Sequence, residues 1–110
     1  KTLDIVRKGL RNVVNVPSGT AYKMRLSGIE MYGKTGTAQV VSKPKDDDPK
    51  RKVADHHKSH AWFVGYSASQ AFPIAVSVIV EHGEHGADAA APLVRDMIRY
   101  YYQSEVGHHE

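Results

Sequence analysis

The chain has 110 residues, which is enough for one small domain. It contains no cysteine, so a disulfide framework and a cysteine-based metal site are excluded, and its formal net charge of +3 is too mild to imply nucleic acid. No apolar run approaches the ~20 residues that span a bilayer, and the first residues do not resemble a signal peptide.

The N-terminal segment has apolar residues at helical spacing, which predicts an amphipathic helix. Thr2 is the expected N-cap, and the helix is expected to end at residues 15–19, where Pro17 cannot continue it. Residues 20–25 are expected to form one or two short helical turns. The predicted apolar stripe consists of Leu3, Ile5, Val6, Leu10, Val13 and Val14.

The segment from Tyr32 to Gln39 is expected to be a strand, although it carries a lysine and two threonines between glycines. A glycine inside a strand often marks a place where a ligand or another backbone comes close. Strict alternation puts Lys34 on the opposite face from Thr35 and Thr37. One flat face of the strand therefore cannot carry all three groups, and we expect an edge strand that lines a cleft.

A long polar loop and two further strands follow. Residues 42–59 are broken by proline and carry charges of both signs, and we interpret them as a mobile flap beside the cleft. The segments His60 to Tyr66 and Phe72 to Glu81 read as strands joined by a short turn, which makes them antiparallel neighbours. The unbroken apolar run of the second segment predicts burial on both faces.

The last segment predicts a helix with Asp88 as its N-cap, Pro92 in its first turn and an end near Gln103. The order of elements is therefore helix, three strands, helix. We predict an α/β (α+β) domain over residues 1–110, in which an antiparallel sheet of three strands is flanked by N- and C-terminal helices. The predicted buried stripe of the last helix consists of Leu93, Val94, Met97, Ile98 and Tyr101.

Lys34-Thr35-Gly36 resembles the Lys-Thr-Gly box of the serine penicillin-binding proteins and β-lactamases. The longer run Gly-Lys-Thr-Gly-Thr-Ala-Gln over residues 33–39 is similar to that of the transpeptidases. The segments 60–66 and 73–81, followed by Ala-Ala-Ala-Pro at 89–92, resemble the later strands and the closing helix of the same family, in the same order. The resemblance covers essentially the whole chain. It is closest to the class B, monofunctional peptidoglycan transpeptidases, with the elongation type as one option, and it implies a β-lactamase/transpeptidase-like fold.

The resemblance also implies roles for individual residues. Lys34 would supply positive potential and aid proton transfer, while Thr35 and Thr37 would hydrogen-bond the carboxylate of a substrate or β-lactam. The backbone N–H of Thr37 would be one oxyanion-hole donor, Gly36 would let the acyl group approach, and Gln39 would lie at the rim. The candidate catalytic residues are thus Lys34 and Thr37, and the candidate substrate-binding residues are Thr35, Gly36, Thr37 and Gln39.

The nucleophile of this family lies in a Ser-x-x-Lys box, and a Ser-x-Asn box stands between it and the Lys-Thr-Gly box. Neither precedes Lys34 in this sequence. Ser42-Lys43-Pro44-Lys45 matches the first pattern, but it follows Lys34 and is broken by proline, whereas the lysine must be held one helical turn from its serine. We therefore interpret the chain as the C-terminal portion of a transpeptidase domain, with the nucleophile upstream.

By resemblance, the whole protein would cross-link D-Ala-D-Ala stem peptides of peptidoglycan through a serine acyl-enzyme, and β-lactams would acylate the same serine. It would work at the periplasmic face of the bacterial inner membrane, held by an upstream anchor, without a cofactor or metal. One alternative is a serine β-lactamase or penicillin sensor that shares the box. Another is a non-catalytic α/β module that pairs with a second chain through a sheet edge.

Other residues receive a structural interpretation. Two pairs of histidines, at positions 56 and 60 and at positions 82 and 85, have spacings that can chelate zinc on a helix, but they lie in polar or glycine-flanked segments. Trp62, Phe63 and Tyr66 are expected to pack rather than to stack on bases. One of the three tyrosines at 100–102 is expected to dock the last helix.

Overall fold

The computed structural model describes residues 1–39 and 58–109, the last three by their backbone alone. The helices are α1 (Thr2–Asn15), α2 (Gly86–Ala89) and α3 (Ala91–His109), and the strands are β1 (Met31–Ala38), β2 (His60–Ser67) and β3 (Ala75–Val80). A 3₁₀ turn, Tyr22–Met24, lies between α1 and β1. No helix in this part of the chain has both the length and the apolar character needed to cross a membrane. The predicted flap and the Ser42 to Lys45 motif fall largely on residues 40–57 and so lie outside the described residues.

The three strands form one antiparallel sheet in the order β1-β2-β3, which confirms the predicted fold class. β1 pairs only with β2 among the described strands, so the prediction of an edge strand is confirmed. The register sets Gly33 opposite Gly65 and Thr35 opposite Phe63.

The core lies on one face of the sheet, where the C-terminal part of α1 and the helix α3 cover it. Phe63 is the largest fully buried side chain and sits at the centre of this face. Two glycines make room for it, because a β-carbon on Gly33 or Gly65 would meet the Phe63 ring. The other large, fully buried side chains are Met31, Ile98, Val14 and Val94.

The prediction that β3 is buried on both faces is wrong. Its residues alternate between exposed and half-buried, and Ile79 is 66% exposed. Val76, Val78 and Val80 pack against the core, whereas the opposite face of the sheet has no helix over it in the described residues. An apolar run indicates that a strand can be buried, but it does not indicate which of the strand's two faces another element covers.

The N-terminal helix forms as predicted, but its cap and its buried stripe differ. Thr2 is the first helical residue and Lys1 is the N-cap, since the amide of Ile5 bonds the Lys1 carbonyl. The Lys1 side chain makes no cap hydrogen bond, because an ammonium group has no acceptor. Val14 is buried, while the first half of the stripe is exposed because no described element packs against it. The exposed positions are Leu3, Ile5 and Val6.

The C-terminal helix is divided in two, so Asp88 is not its N-cap. Asp88 lies inside the short helix α2, whose N-cap is His85. α3 begins at Ala91, which keeps Pro92 in the first turn as predicted and extends the helix beyond Gln103. Within the predicted stripe of α3, Val94 and Ile98 are buried, whereas Leu93 and Met97 are exposed.

The tyrosine that docks α3 is Tyr102. Its ring packs edge-to-face on Phe72 with centroids 5.2 Å apart, and it lies against the core. Tyr100 is exposed.

Asn15 links the end of α1 to the start of β1. Its Nδ2 donates to the carbonyl oxygens of Arg11 and Met31, both at 2.9 Å. Because Asn15→Ala removes this part-buried link, we expect the free energy of unfolding to fall by about 1–2 kcal/mol. Urea denaturation beside Asn12→Ala, an exposed position on the same helix, measures the difference. Equal losses in the two variants would contradict the assigned role of Asn15.

Candidate active site

β1 distributes its functional groups over both faces, as strand alternation requires. Lys34 and Gly36 lie on the open face of the sheet, and Thr35 and Thr37 lie on the helix-covered face. The structure therefore brings the predicted residues together along one edge strand. It does not gather their side chains on one face.

Lys34 is exposed to solvent. Its Nζ donates to the carbonyl oxygen of Thr35 at 3.0 Å. Its neighbour across the sheet is the apolar Val64, and in residues 1–39 and 58–109 no carboxylate pairs with it. Within the described part of the chain, the strand thus presents a positive charge on the open face with no carboxylate paired to it.

The hydroxyl of Thr37 donates to the carbonyl oxygen of Glu84 at 3.2 Å. This bond ties the exposed end of β1 to the loop that follows β3. Thr35 is half-buried on the same face, opposite Phe63. The two threonine side chains therefore share a face, and Thr37 already has an internal acceptor.

The loop that receives Thr37 has a left-handed backbone at two residues with side chains. His82 and Glu84 have φ angles of 55° and 68°, a region that such residues rarely adopt. The amide of His82 donates to Nδ1 of His60 at 2.9 Å, and Nδ1 of His82 lies 2.8 Å from the carbonyl oxygen of Lys58. The amide of Glu84 donates to the carbonyl oxygen of Ser59 at 3.0 Å. These bonds hold the turn in place beside β1.

Sequence reasoning missed this turn as part of the site. The sequence signal was the run His-Gly-Glu-His-Gly directly after an apolar strand, in which a glycine is the expected left-handed residue. The structure instead places the positive φ angles on the residues that flank Gly83.

Gly36 is packed closely by Trp62 on the open face and by Gly86 behind β1. A β-carbon at this position would collide with the indole of Trp62 on the open face. Behind β1, a β-carbon on Gly86 would meet the Trp62 carbonyl and would lie 2.9 Å from the Gly36 carbonyl oxygen. The close approach that the glycine predicted is confirmed, with Trp62 and Gly86 as the neighbours. The approach of an acyl group to Gly36 stays a prediction.

Gln39 and the histidines are the remaining residues that the sequence singled out. Gln39 is exposed directly after β1. The rings of His60 and His82 contact each other with centroids 4.8 Å apart. In the described part of the chain, no group of three or more histidine or carboxylate side chains is arranged to hold a metal ion. The histidine at position 56 lies outside the described residues.

Tyr32 precedes Lys34 on the open face and packs edge-to-face on Tyr66, with centroids 5.3 Å apart. Burial raises the pKa of the Tyr32 phenol above its ordinary value, the Glu30 carboxylate raises it further, and the Arg11 guanidinium lowers it. The carboxylate is held by Arg11, whose Nε lies 2.8 Å from its Oε1. The phenol therefore stays protonated at neutral pH and can donate a hydrogen bond, but it cannot act as a base there.

An exposed amine, two hydroxyls and the outer edge of a strand can hold and polarise a carboxylate-bearing peptide. Acyl transfer also needs a nucleophile with a base beside it. β1 supplies neither a serine nor a cysteine. The strand can therefore hold and polarise such a ligand, but β1 does not itself supply the attacking group.

Residues 1–99 match the family model described as the penicillin-binding protein transpeptidase domain. The chain is 35% identical to the peptidoglycan D,D-transpeptidase MrdA of Haemophilus influenzae over 102 residues, which are 89% of this chain and 15% of that protein. It is 32% identical to the peptidoglycan D,D-transpeptidase PbpA of Mycobacterium tuberculosis over 88 residues, which are 76% of this chain and 16% of that protein.

Two solved structures contain a similar fold. One is the complex of the penicillin-binding protein PBP2 with MreC from Helicobacter pylori, with a TM-score of 0.69 at 36% identity, covering 93% of this chain and 17% of that one. The other is Pseudomonas aeruginosa PBP2 in complex with WCK 5153, with a TM-score of 0.63 at 36% identity, covering 90% and 18%. The chain thus spans less than a fifth of the length of these relatives.

Proposed function

Because this chain belongs to the penicillin-binding protein transpeptidase family, we propose that it forms one wall of the active site of a peptidoglycan D,D-transpeptidase. The wall is β1, an edge strand that carries the Lys-Thr-Gly box with the amine of Lys34 exposed. This observation carries the proposal, because an edge strand can receive an extended peptide along its unpaired side.

In this proposal, each residue of the box has a separate task. Lys34 supplies positive potential beside the reacting serine and assists proton transfer. Thr35 and Thr37 bind the carboxylate of a D-Ala-D-Ala stem peptide or a β-lactam, and the backbone N–H of Thr37 contributes to the oxyanion hole. Gly36 allows the acyl group to approach, and Gln39 lies at the rim.

The contact between Thr37 and Glu84 adds a step to ligand binding. The hydroxyl of Thr37 has one proton, and in the structure it goes to the Glu84 carbonyl at 3.2 Å. To donate to a carboxylate, the hydroxyl has to turn away from this carbonyl. The exchange is favourable once the ligand is seated, since a charged acceptor forms a stronger hydrogen bond than a neutral one.

The serine nucleophile and its lysine come, in this proposal, from a segment upstream of Lys1 that packs on this chain. Large apolar side chains that stay exposed at two separate places support this assignment, because exposed apolar surface can mark an interaction site. Ile79 on the open face is 66% exposed, and Leu3 and Ile5 on α1 are 69% and 72% exposed. The protein would act at the periplasmic face of the inner membrane, attached through an upstream anchor.

Intact-mass spectrometry after incubation with a fluorescent penicillin tests the proposal. We expect no adduct on the 110-residue chain alone and a stable adduct on the intact protein that carries it. In the intact protein, Lys34→Ala is expected to slow acylation by about tenfold or more, because it removes the positive charge from the wall. Lys23→Ala, an exposed lysine outside β1, is the matched control and should acylate at the unchanged rate.

Three results would redirect the proposal. An adduct on the 110-residue chain alone would reveal a nucleophile within it, and Ser42→Ala would be the first variant to examine. An adduct on the intact protein that hydrolyses rapidly would favour a serine β-lactamase. No adduct on the intact protein would favour the non-catalytic module.

A further inference from the structure

A second polar site lies outside the Lys-Thr-Gly strand. A groove with a volume of about 420 Å³ runs between the loop 25–29 and the helix α3. The loop and the helix are distant in sequence, yet both contribute arginines to it. The polar side chains of its lining are Arg25, Ser27, Arg95, Arg99, Tyr102 and Gln103.

The three guanidinium groups of this groove are held by defined contacts. Arg25 stacks over the Tyr22 ring, 3.9 Å from its centroid, and donates to the Tyr22 carbonyl at 2.9 Å. Arg95 and Arg99 both donate to the same oxygen, Oδ1 of Asp96, at 3.0 Å and 3.1 Å. A guanidinium that is fixed before binding loses less conformational entropy when a ligand arrives.

The groove carries more positive than negative charge. Arg25, Arg95 and Arg99 line the groove, and no carboxylate is among its described lining residues. The carboxylate of Asp96, outside the lining, pairs with Arg95 and Arg99. The nearest acidic residue of the loop side, Glu30, is engaged by Arg11 at 2.8 Å. Each guanidinium has five N–H donors, and one shared carboxylate oxygen cannot satisfy them. The groove therefore offers charge and donors to an anion.

The loop adds backbone donors. Gly28 has a φ of 81°, in the left-handed region. None of the amides of residues 26–29 donates a hydrogen bond to a group in the described part of the chain. Successive peptide N–H groups at such a turn form concavities that bind anions. The amides of the loop are therefore available as donors in addition to the guanidinium groups.

We propose that this groove binds an oxyanion, namely a phosphate or carboxylate group, through the guanidiniums of Arg25 and Arg99. Planar guanidinium forks match both groups in geometry, and charge-assisted hydrogen bonds of this kind are about twice as strong as neutral ones. The hydroxyl of Tyr102 and the amide of Gln103, one turn further along α3, provide additional donors. The site shares no residue with the Lys-Thr-Gly strand.

Isothermal titration calorimetry on the intact protein, at a constant ionic strength of about 0.1 M, tests this site. One arm uses inorganic pyrophosphate and the other uses a hexaglutamate peptide. We expect saturable binding of at least one probe, weakened about tenfold by Arg25→Gln and by Arg99→Gln. Arg99→Lys should give an intermediate loss because it keeps the charge and removes the fork. Arg7→Gln, on an exposed arginine of α1 outside the groove, is the matched control.

The two arms separate the sources of the oxyanion. Saturation by pyrophosphate alone would assign the groove to a phosphate, and saturation by hexaglutamate would assign it to acidic side chains of a protein or peptide. The proposal is wrong if neither probe saturates, or if Arg7→Gln weakens binding as much as Arg99→Gln does. Circular dichroism of each variant confirms that the compared proteins are folded.

Discussion

Gly86→Ala is expected to lower the free energy of unfolding by about 3 kcal/mol. The added β-carbon would meet the carbonyl oxygen of Trp62 and would lie 2.9 Å from the carbonyl oxygen and 3.1 Å from the amide nitrogen of Gly36. These are backbone atoms of two paired strands, so no side-chain rotation can relieve the contact. The helix α2 or the end of β1 has to move.

The same displacement should also slow acylation of the intact protein, because it moves the box itself. Chemical denaturation measures the stability loss, and Gly9→Ala provides a control of opposite sign. A β-carbon on Gly9 meets nothing within 4 Å, and the residue lies within α1. Gly9→Ala should therefore stabilise the chain by about 0.5–1 kcal/mol. Equal stabilities of the two variants would show that the contact behind β1 is not tight.

Phe63→Ala is expected to cost about 3–5 kcal/mol, the largest loss from any single truncation in this core. Phe63 has no exposed surface, and its ring fills the space that Gly33 and Gly65 leave above the sheet. Those glycines cannot fill the resulting cavity, because they have no side chains to move into it. Since small domains are stable by only about 5–15 kcal/mol, the variant should be partly unfolded at physiological temperature.

Val64→Ala is the matched control for Phe63→Ala. Val64 is the next residue of β2, points to the open face and is 39% exposed. Its truncation should cost less than about 1 kcal/mol. Guanidinium denaturation of the two variants compares the two faces of the same strand. Similar losses would mean that the open face is packed as tightly as the core.

The strands and the β2–β3 pairing followed from the sequence because alternation and turn spacing are local signals. The β2–β3 hairpin needed only two strand segments and a short turn between them. The position of β1 at the edge was predicted because strand alternation puts Lys34 and the two threonines on opposite faces, so that no single face carries all three. The exposure of β3 did not follow, since the apolar run of Ala75–Val80 says nothing about which of its faces another element covers.

The candidate site was predicted in its residues and not in its geometry. Alternation correctly separated Lys34 from Thr35 and Thr37, so the division between two faces was expected. The acceptor of Thr37 was not expected, because Glu84 is 47 residues away and reaches it through a left-handed turn. Long-range hydrogen bonds from a side chain to a backbone carbonyl leave no periodic signal in a sequence.

The order β1-β2-β3 joins neighbouring strands through connections of very different length. The β2–β3 hairpin closes over residues 68–74, whereas β1 reaches β2 only across the whole connection 39–59. Loop-closure entropy grows slowly with length, so doubling such a connection costs only about 0.6 kcal/mol. Insertions between residues 39 and 59 should therefore change the stability of the sheet only slightly. The length of this connection, next to the Lys-Thr-Gly strand, can accordingly change in evolution or by engineering with little loss of stability.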